Sequence, residues 1–426
     1  MSLQKQLQEL IEADIISEEI ADKILAYYKH KDDKTSNRIF VVFGVLGALL
    51  IGLGLILIIA HNWDNLSRTA KTLLAFVPLL IGQILAGYTL LKKTNSPTWR
   101  ESTSTFLFFA IGATIALISQ IYHLSGSLST FLLTWLLLAL PLVYLMRSSM
   151  TSLLYIAGIS YYVFEVGYSF YHKFENNYYW LLLLLILPFY YWLYKNKSGS
   201  NALIFHHWFL PLSILLAFGT LVEHNGRFIF VGYMSLLGLF YLIGNTDYFI
   251  KQKLLNNSYM IIGSLGTVGI LLALSFKWFW RELRHQELMS GQFQSTEFIV
   301  SVILTIVAMI LFFYQFKTKS LKELKPISIT FLLFFLTFII GLYSGIAVVL
   351  INIILFGIGV FTIKEGEKQN NLLILNYGLL IITSLVISRF FDVNLSFVLR
   401  GLLFILVGTG FFAANYWMLK KRNNEA

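Results

Sequence analysis

The side chains with the means to do chemistry in this chain are few, and most stand beside apolar runs on one side of an alternating pattern. Five of the eight histidines, His61, His123, His172, His224 and His285, follow odd-numbered apolar runs. No two share a tight ligand spacing and no carboxylate is placed to complete a set, so neither a metal nor any other cofactor is expected. The stretch 277–297 holds Arg281, Arg284, His285 and Glu287. Those groups could bind pyrophosphate and move a proton in glycan transfer from a lipid carrier, although an amphipathic helix lying on the membrane surface accounts for the same residues. A broader constellation gathers at the same-side ends of the runs: His61, Asn62, Trp63, Arg68, Gln120, Tyr122, His123, Arg389, Asp392 and Arg400. From it, His61, Trp63, Arg68, Gln120, His123, Arg389, Asp392 and Arg400 are the expected substrate contacts of an outward-facing polar mouth. Interfacial aromatics and snorkelling arginines are also what any span end displays.

Other chemistries lack their residues. There is no GxxxxGK phosphate loop, HExxH, GxSxG or DxD pair, which counts against ATP-driven, protease, esterase and metal-dependent glycosyltransferase readings. The chain has no cysteine, which removes disulfides, thiolate sites and Cys nucleophiles. No catalytic residue is assigned, and an enzyme is the less favoured class.

The elements that must position these residues are membrane helices. Of the residues, 57% are hydrophobic and only 13% charged, against about a quarter charged in soluble proteins, so the class is polytopic membrane protein. The net charge of +10 resides in short loops, where it orients the chain and does not call for nucleic acid. Ile39 to Ala60 is a run of 22 uncharged residues, enough at about 1.5 Å per residue to cross a hydrocarbon core of about 30 Å. Gly44, Ala48 and Gly52 mark one close-packing face of it. It begins too late and runs too long for a signal segment, so no cleavage is expected. Further runs follow at about 70–91, 103–122, 128–146, 150–166, 178–194, 203–222, 227–244, 258–277, 297–316, 326–341, 344–363, 371–388 and 397–419. The expected fold is an all-α transmembrane bundle of about fourteen spans. Pro78, Pro141, Pro188 and Pro211 fall within spans, where neighbouring helices can satisfy the freed carbonyls, and Asn352 at mid-span calls for an interhelical partner.

Before the first run, Leu3, Leu7, Leu10 and Ile11, then Ile20, Ile24 and Tyr27 or Tyr28, repeat at helical spacing with Ser17 as a cap. Two short helices, about 2–12 and 18–30, form an expected cytoplasmic hairpin. It is too small to be stable alone, so it packs on the membrane body, a second copy or another protein. The expected division is 1–38 for hairpin and basic linker, 39–148 for a four-span membrane domain, and 149–426 for a further bundle of about ten spans.

Three stretches resemble a known family: LQELIEADIISEEIADKILAYY with IIAHNW at 58–63, QIYHLSGSLSTFLLTWLLLALPLVYLMRS at 120–148, and ISRFFDVNLSFVLRGLLFILVGTG at 387–410. They resemble bacterial membrane proteins grouped as domain of unknown function 2157. The resemblance implies a bacterial inner-membrane location and the N-terminal helical module, and supplies no activity. Three functions are carried: transport or handling of an anionic, amphipathic or lipid-linked substrate; a scaffold or signalling protein working through its hairpin; and an intramembrane glycan-transfer enzyme. Expected partners are membrane lipids and a protein or second copy at the hairpin.

With the N-terminus inside, the inner segments hold 23 of the 32 Lys and Arg and the outer segments 9, which sets both ends in the cytoplasm. Single cysteines introduced as Ser67→Cys, Ser127→Cys and Ser290→Cys therefore react with an impermeant thiol reagent added outside intact cells, while Ser36→Cys does not. The reverse pattern reverses the orientation.

Overall fold

The computed structural model describes residues 3–13, 15–25, 63–168, 177–222, 226–285, 292–318, 325–392, 398, 401–402, 404–406, 408–410, 412–413 and 415–417. Among them the chain is all-helical, with no strand. The long helices are α3 (Arg68–Lys92), α4 (Pro97–Tyr122), α5 (Leu128–Met146), α6 (Ser149–Tyr168), α7 (Tyr179–Asn196), α8 (Asn201–Phe218), α9 (Ile229–Gly244), α11 (Ser258–Leu274), α13 (Thr296–Thr318), α14 (Ile327–Tyr343), α15 (Ile346–Lys368) and α16 (Leu372–Asp392). The short ones are α1 (Leu3–Glu12), α2 (18–25), α10 (Asp247–Ile250) and α12 (Lys277–His285). The apolar runs expected from residue 70 to 388 coincide with helix, and the described residues of 397–419 are helical; the first run, 39–60, lies outside the described residues. Seven helices, α3, α4, α5, α8, α13, α15 and α16, are long and apolar enough to cross a membrane, and α11 with α12 makes an eighth if that bent pair is one span. The shorter apolar helices are α9, α14 and the stretch Phe404–Trp417.

Two compact units divide the chain. The first comprises Met1–Val77 with Gln120–His123, and the second Pro78–Ser119 with Leu124–Ala426. In the first, α1 and α2 are two short helices: Leu7 and Ala21 are buried, and the turn between the helices is held by Ile15 and Ile16 amides donating to Leu10 O and by the Ser17 carbonyl accepting from Ile20 and Ala21. Leu10, Ile15 and Ile20 stay exposed.

In the second unit α9 is the central helix, buried round most of its circumference and packed on α11, α13 and α14. Small residues set that closeness. A Cβ on Gly238 would meet Phe331 at 2.9 Å, and one on Gly263 of α11 would meet the Tyr241 amide nitrogen of α9 at 2.5 Å. Such close backbone approach substitutes van der Waals packing for the hydrophobic drive that hydrocarbon surroundings remove. The four in-span prolines lie inside α3, α5, α7 and α8. Pro211 cannot donate to the His207 carbonyl, and Ser258 of α11 does so instead at 2.6 Å.

A second device closes the end of α4, α5 and α6. Glu101 of α4 accepts from the Ser149 and Met150 amides at 2.9 Å each, while Ser148 Oγ donates to it at 2.5 Å. A carboxylate thus caps the α6 N-terminus across the sequence, where charge, dipole and free amides all favour it. Beyond it, Thr151 bonds Ser104, and Ser152 bonds His206 of α8 at 2.8 Å, both pairs buried. Glu101→Ala leaves those amides without their acceptor and should cost about 1.5–3 kcal/mol, read as a lower unfolding temperature in detergent. Glu101→Gln, which keeps one acceptor oxygen, should fall between. An Ala variant as stable as wild type would remove the cap from the structural argument.

Candidate functional site

The site the second unit offers is built on a helix that breaks. α11 ends at Leu274 and α12 begins at Lys277, turned by 76°. A sharp break exposes carbonyls that an unbroken helix would satisfy, and each needs a partner. Trp280 Nε1 donates to Leu274 O at 2.7 Å, and Asn352 Nδ2 of α15 reaches Ser275 O at 3.5 Å and Val348 O at 2.6 Å. The Asn352 amide is thus the interhelical contact its mid-span position called for. Ser275 Oγ donates to Leu272 O at 2.7 Å and accepts from Arg389 Nη2 of α16 at 2.8 Å. The Arg389 guanidinium also lies over the Phe276 ring, 5.2 Å from its centroid.

Around this hinge α12 is amphipathic. Trp280 and Leu283 are buried, whereas Lys277, Trp278, Arg281, Glu282 and Arg284 face outward. Trp280 lies on α14 at Gly341, where a Cβ would stand 2.0 Å from the indole, and beside Phe338 at 6.0 Å between centroids. Two more guanidiniums hold the cap down: buried Arg227 donates to Leu283 O at 3.0 Å and Arg284 to Gly341 O at 3.4 Å. Ser301 of α13 donates to Phe228 O at 3.2 Å, so buried Glu297, one turn earlier on α13, faces the same crossing into α9 as Arg227. This end therefore carries three arginines in reach of α12, where bidentate recognition of a phosphate or carboxylate is the chemistry available.

The residues expected from sequence fall as follows. His61 and Arg400 lie outside the described residues, and only the backbone of Asp392 is described, as the last residue of α16. In the first unit, half-buried Trp63 starts a short turn and Lys71 Nζ sits 5.6 Å from its ring centroid. The Arg68 guanidinium lies 5.3 Å from the Tyr122 ring centroid, and Tyr122 shares a 3.2 Å hydrogen bond with Thr72. Gln120 is exposed and its carbonyl accepts from the His123 amide at 3.4 Å; His123, also exposed, ends α4 at φ 51°. Arg68 and the 120–123 turn are thus brought together. Arg389, in the second unit, is engaged by Ser275 and Phe276. Sequence reasoning missed Arg227, Ser275, Trp280 and Glu297. A charge directly before an apolar run, as at Arg227 and Glu297, was the available signal. No group of three or more His, Asp or Glu that could hold a metal occurs among the described residues.

Gly341→Ala drives a methyl into Trp280 and should release α12, read as faster amide hydrogen exchange across 277–285 with α9 unchanged. Unchanged exchange there would mean that Trp280 does not fasten the helix.

Comparison with known proteins adds one relation. Neither a curated protein nor a solved structure is detectably similar to the chain. Residues 8–152, from α1 to the first turn of α6 and including the Glu101 cap, match the family model described as predicted membrane protein (DUF2157), about a third of the chain.

Proposed function

We propose that the protein handles an anionic amphipathic molecule, a phospholipid or lipid-linked intermediate, at the arginine-bearing end of its second unit. The observation that carries this reading is the 76° break between α11 and α12 with Arg389 docked on the hinge. A helix broken at the edge of an apolar run brings backbone carbonyls and charged side chains together where a headgroup lies. Here Trp278 and Arg281 on the outer face of α12 suit a headgroup and its glycerol region, while Arg284, Arg389 and Arg227 supply charge behind them. In the first unit the same chemistry is proposed for His61, Trp63, Arg68, Gln120 and His123, and in the second unit Asp392 and Arg400 are the remaining proposed contacts. The membrane is proposed to be the bacterial inner membrane, crossed about fourteen times with both termini cytoplasmic, which puts α12 outside.

A second reading, a scaffold engaging a partner through the N-terminal hairpin, draws support from the exposure of Leu10, Ile15 and Ile20 on so small a module.

The first reading is tested by reconstituting the full chain in vesicles containing fluorescent phosphatidylglycerol and measuring access of both leaflets to an impermeant quencher. Wild type should exchange the probe faster than protein-free vesicles, and Arg389→Gln should slow that exchange roughly tenfold or more, as loss of a charge-assisted contact implies. No exchange above the protein-free rate, or exchange indifferent to Arg389→Gln in a folded protein, would sink it.

A further inference from the structure

Two cations stand together elsewhere in the second unit, where α5 and α7 end. Arg147 is the first residue past α5 and Lys197 the first past α7. The Arg147 guanidinium lies 5.8 Å and the Lys197 ammonium 5.6 Å from the ring centroid of the same half-buried residue, Trp192. Two cations are therefore held against one indole. Neither forms an ion pair with a described carboxylate. Glu101, next in space to the Arg147 turn, spends both oxygens on Ser148, Ser149 and Met150. The backbone adds a further indication. Arg147 sits at φ 45°, a left-handed helix end that favours glycine, yet the position carries a long cationic side chain. Lys197 is held from its own side by its amide on Leu193 O at 2.8 Å and by Ser200 Oγ on its carbonyl at 2.9 Å.

We propose that Arg147, Lys197 and Trp192 form a binding site for the phosphodiester headgroup of an anionic phospholipid. The guanidinium fork matches two non-bridging oxygens, the ammonium supplies a second point charge, and the indole occupies the depth at which tryptophan meets headgroups. Toward the hydrocarbon, α5 and α7 expose Leu138, Leu145, Leu184 and Tyr191, apolar surface for acyl chains. Helix C-termini attract cations without any ligand, so the pair could serve the helix ends alone; convergence on one ring without a counter-charge is what that account leaves unexplained. The site is independent of the α12 reading, since it uses other helices and other residues.

The test follows the unfolding temperature of the purified full chain in neutral detergent during titration with dioctanoyl phosphatidylglycerol, dioctanoyl phosphatidylcholine or inorganic phosphate. Phosphatidylglycerol should raise it saturably, and the other two should not. Arg147→Gly suits the left-handed backbone and should be at least as stable as wild type without lipid, yet need roughly tenfold or more phosphatidylglycerol for half the effect. Lys197→Gln should shift the titration in the same direction. Should the glycine variant fail to fold, Arg147→Asn, which tolerates the same backbone, carries the measurement. Equal response to phosphatidylcholine would overturn the proposal, as would equal response to inorganic phosphate or a variant titration superimposed on wild type.

Discussion

A helix that turns sharply at the end of an apolar run leaves carbonyls without their intrahelical donors, and one end of the second unit is arranged around answering that demand. At the Ser275–Phe276 break, Trp280 from the same chain segment and Asn352 from α15 take the Leu274 and Ser275 carbonyls. Arg389 takes the Ser275 hydroxyl, and Arg227 and Arg284 fasten the far side of α12 to α9 and α14. The same rule appears in milder form at Pro211, where Ser258 supplies the donor that proline lacks. Asn352 and Arg389 come from different helices, so satisfying the break also ties α15 and α16 to one end of α11. Polar satisfaction and helix packing are one problem here, because an unpaired group in hydrocarbon costs several kcal/mol.

The stretch matched by the family model holds a different solution. Glu101 brings a negative charge to the α6 N-terminus, and Ser148, Thr151 and Ser104 extend the polar contact into the helix interface. Where the α12 end uses cations on carbonyls, this end uses a carboxylate on amides, each sign matched to the helix pole it meets. Functional readings divide on the same line. The proposed function draws on the guanidinium end, whereas the Glu101 oxygens are spent on the fold.

What the sequence determined by itself was the class and the succession of elements. A run of about twenty apolar residues has only one way to satisfy its backbone in lipid, so helices at 70–91 through 371–388 followed from composition alone, and the spacing of Leu7, Ile20 and Ile24 was enough for two short helices before them. Arg389 and Asn352 were legible as polar residues out of place in apolar surroundings. Their partners were not: Ser275 lies 114 residues from Arg389 and 77 from Asn352. The end of the apolar run near residue 277 and an amphipathic helix after it were legible, but the 76° turn between the two helices was not. Tertiary structure decided that Trp280, set against Gly341, turns inward while Trp278 stays exposed, and that Glu101 reaches a turn 47 residues away. Those choices rest on which helices become neighbours, and in an apolar solvent hydrophobicity is nearly the same on every face of a helix, so only small residues, backbone vacancies and the few charges distinguish one neighbour from another.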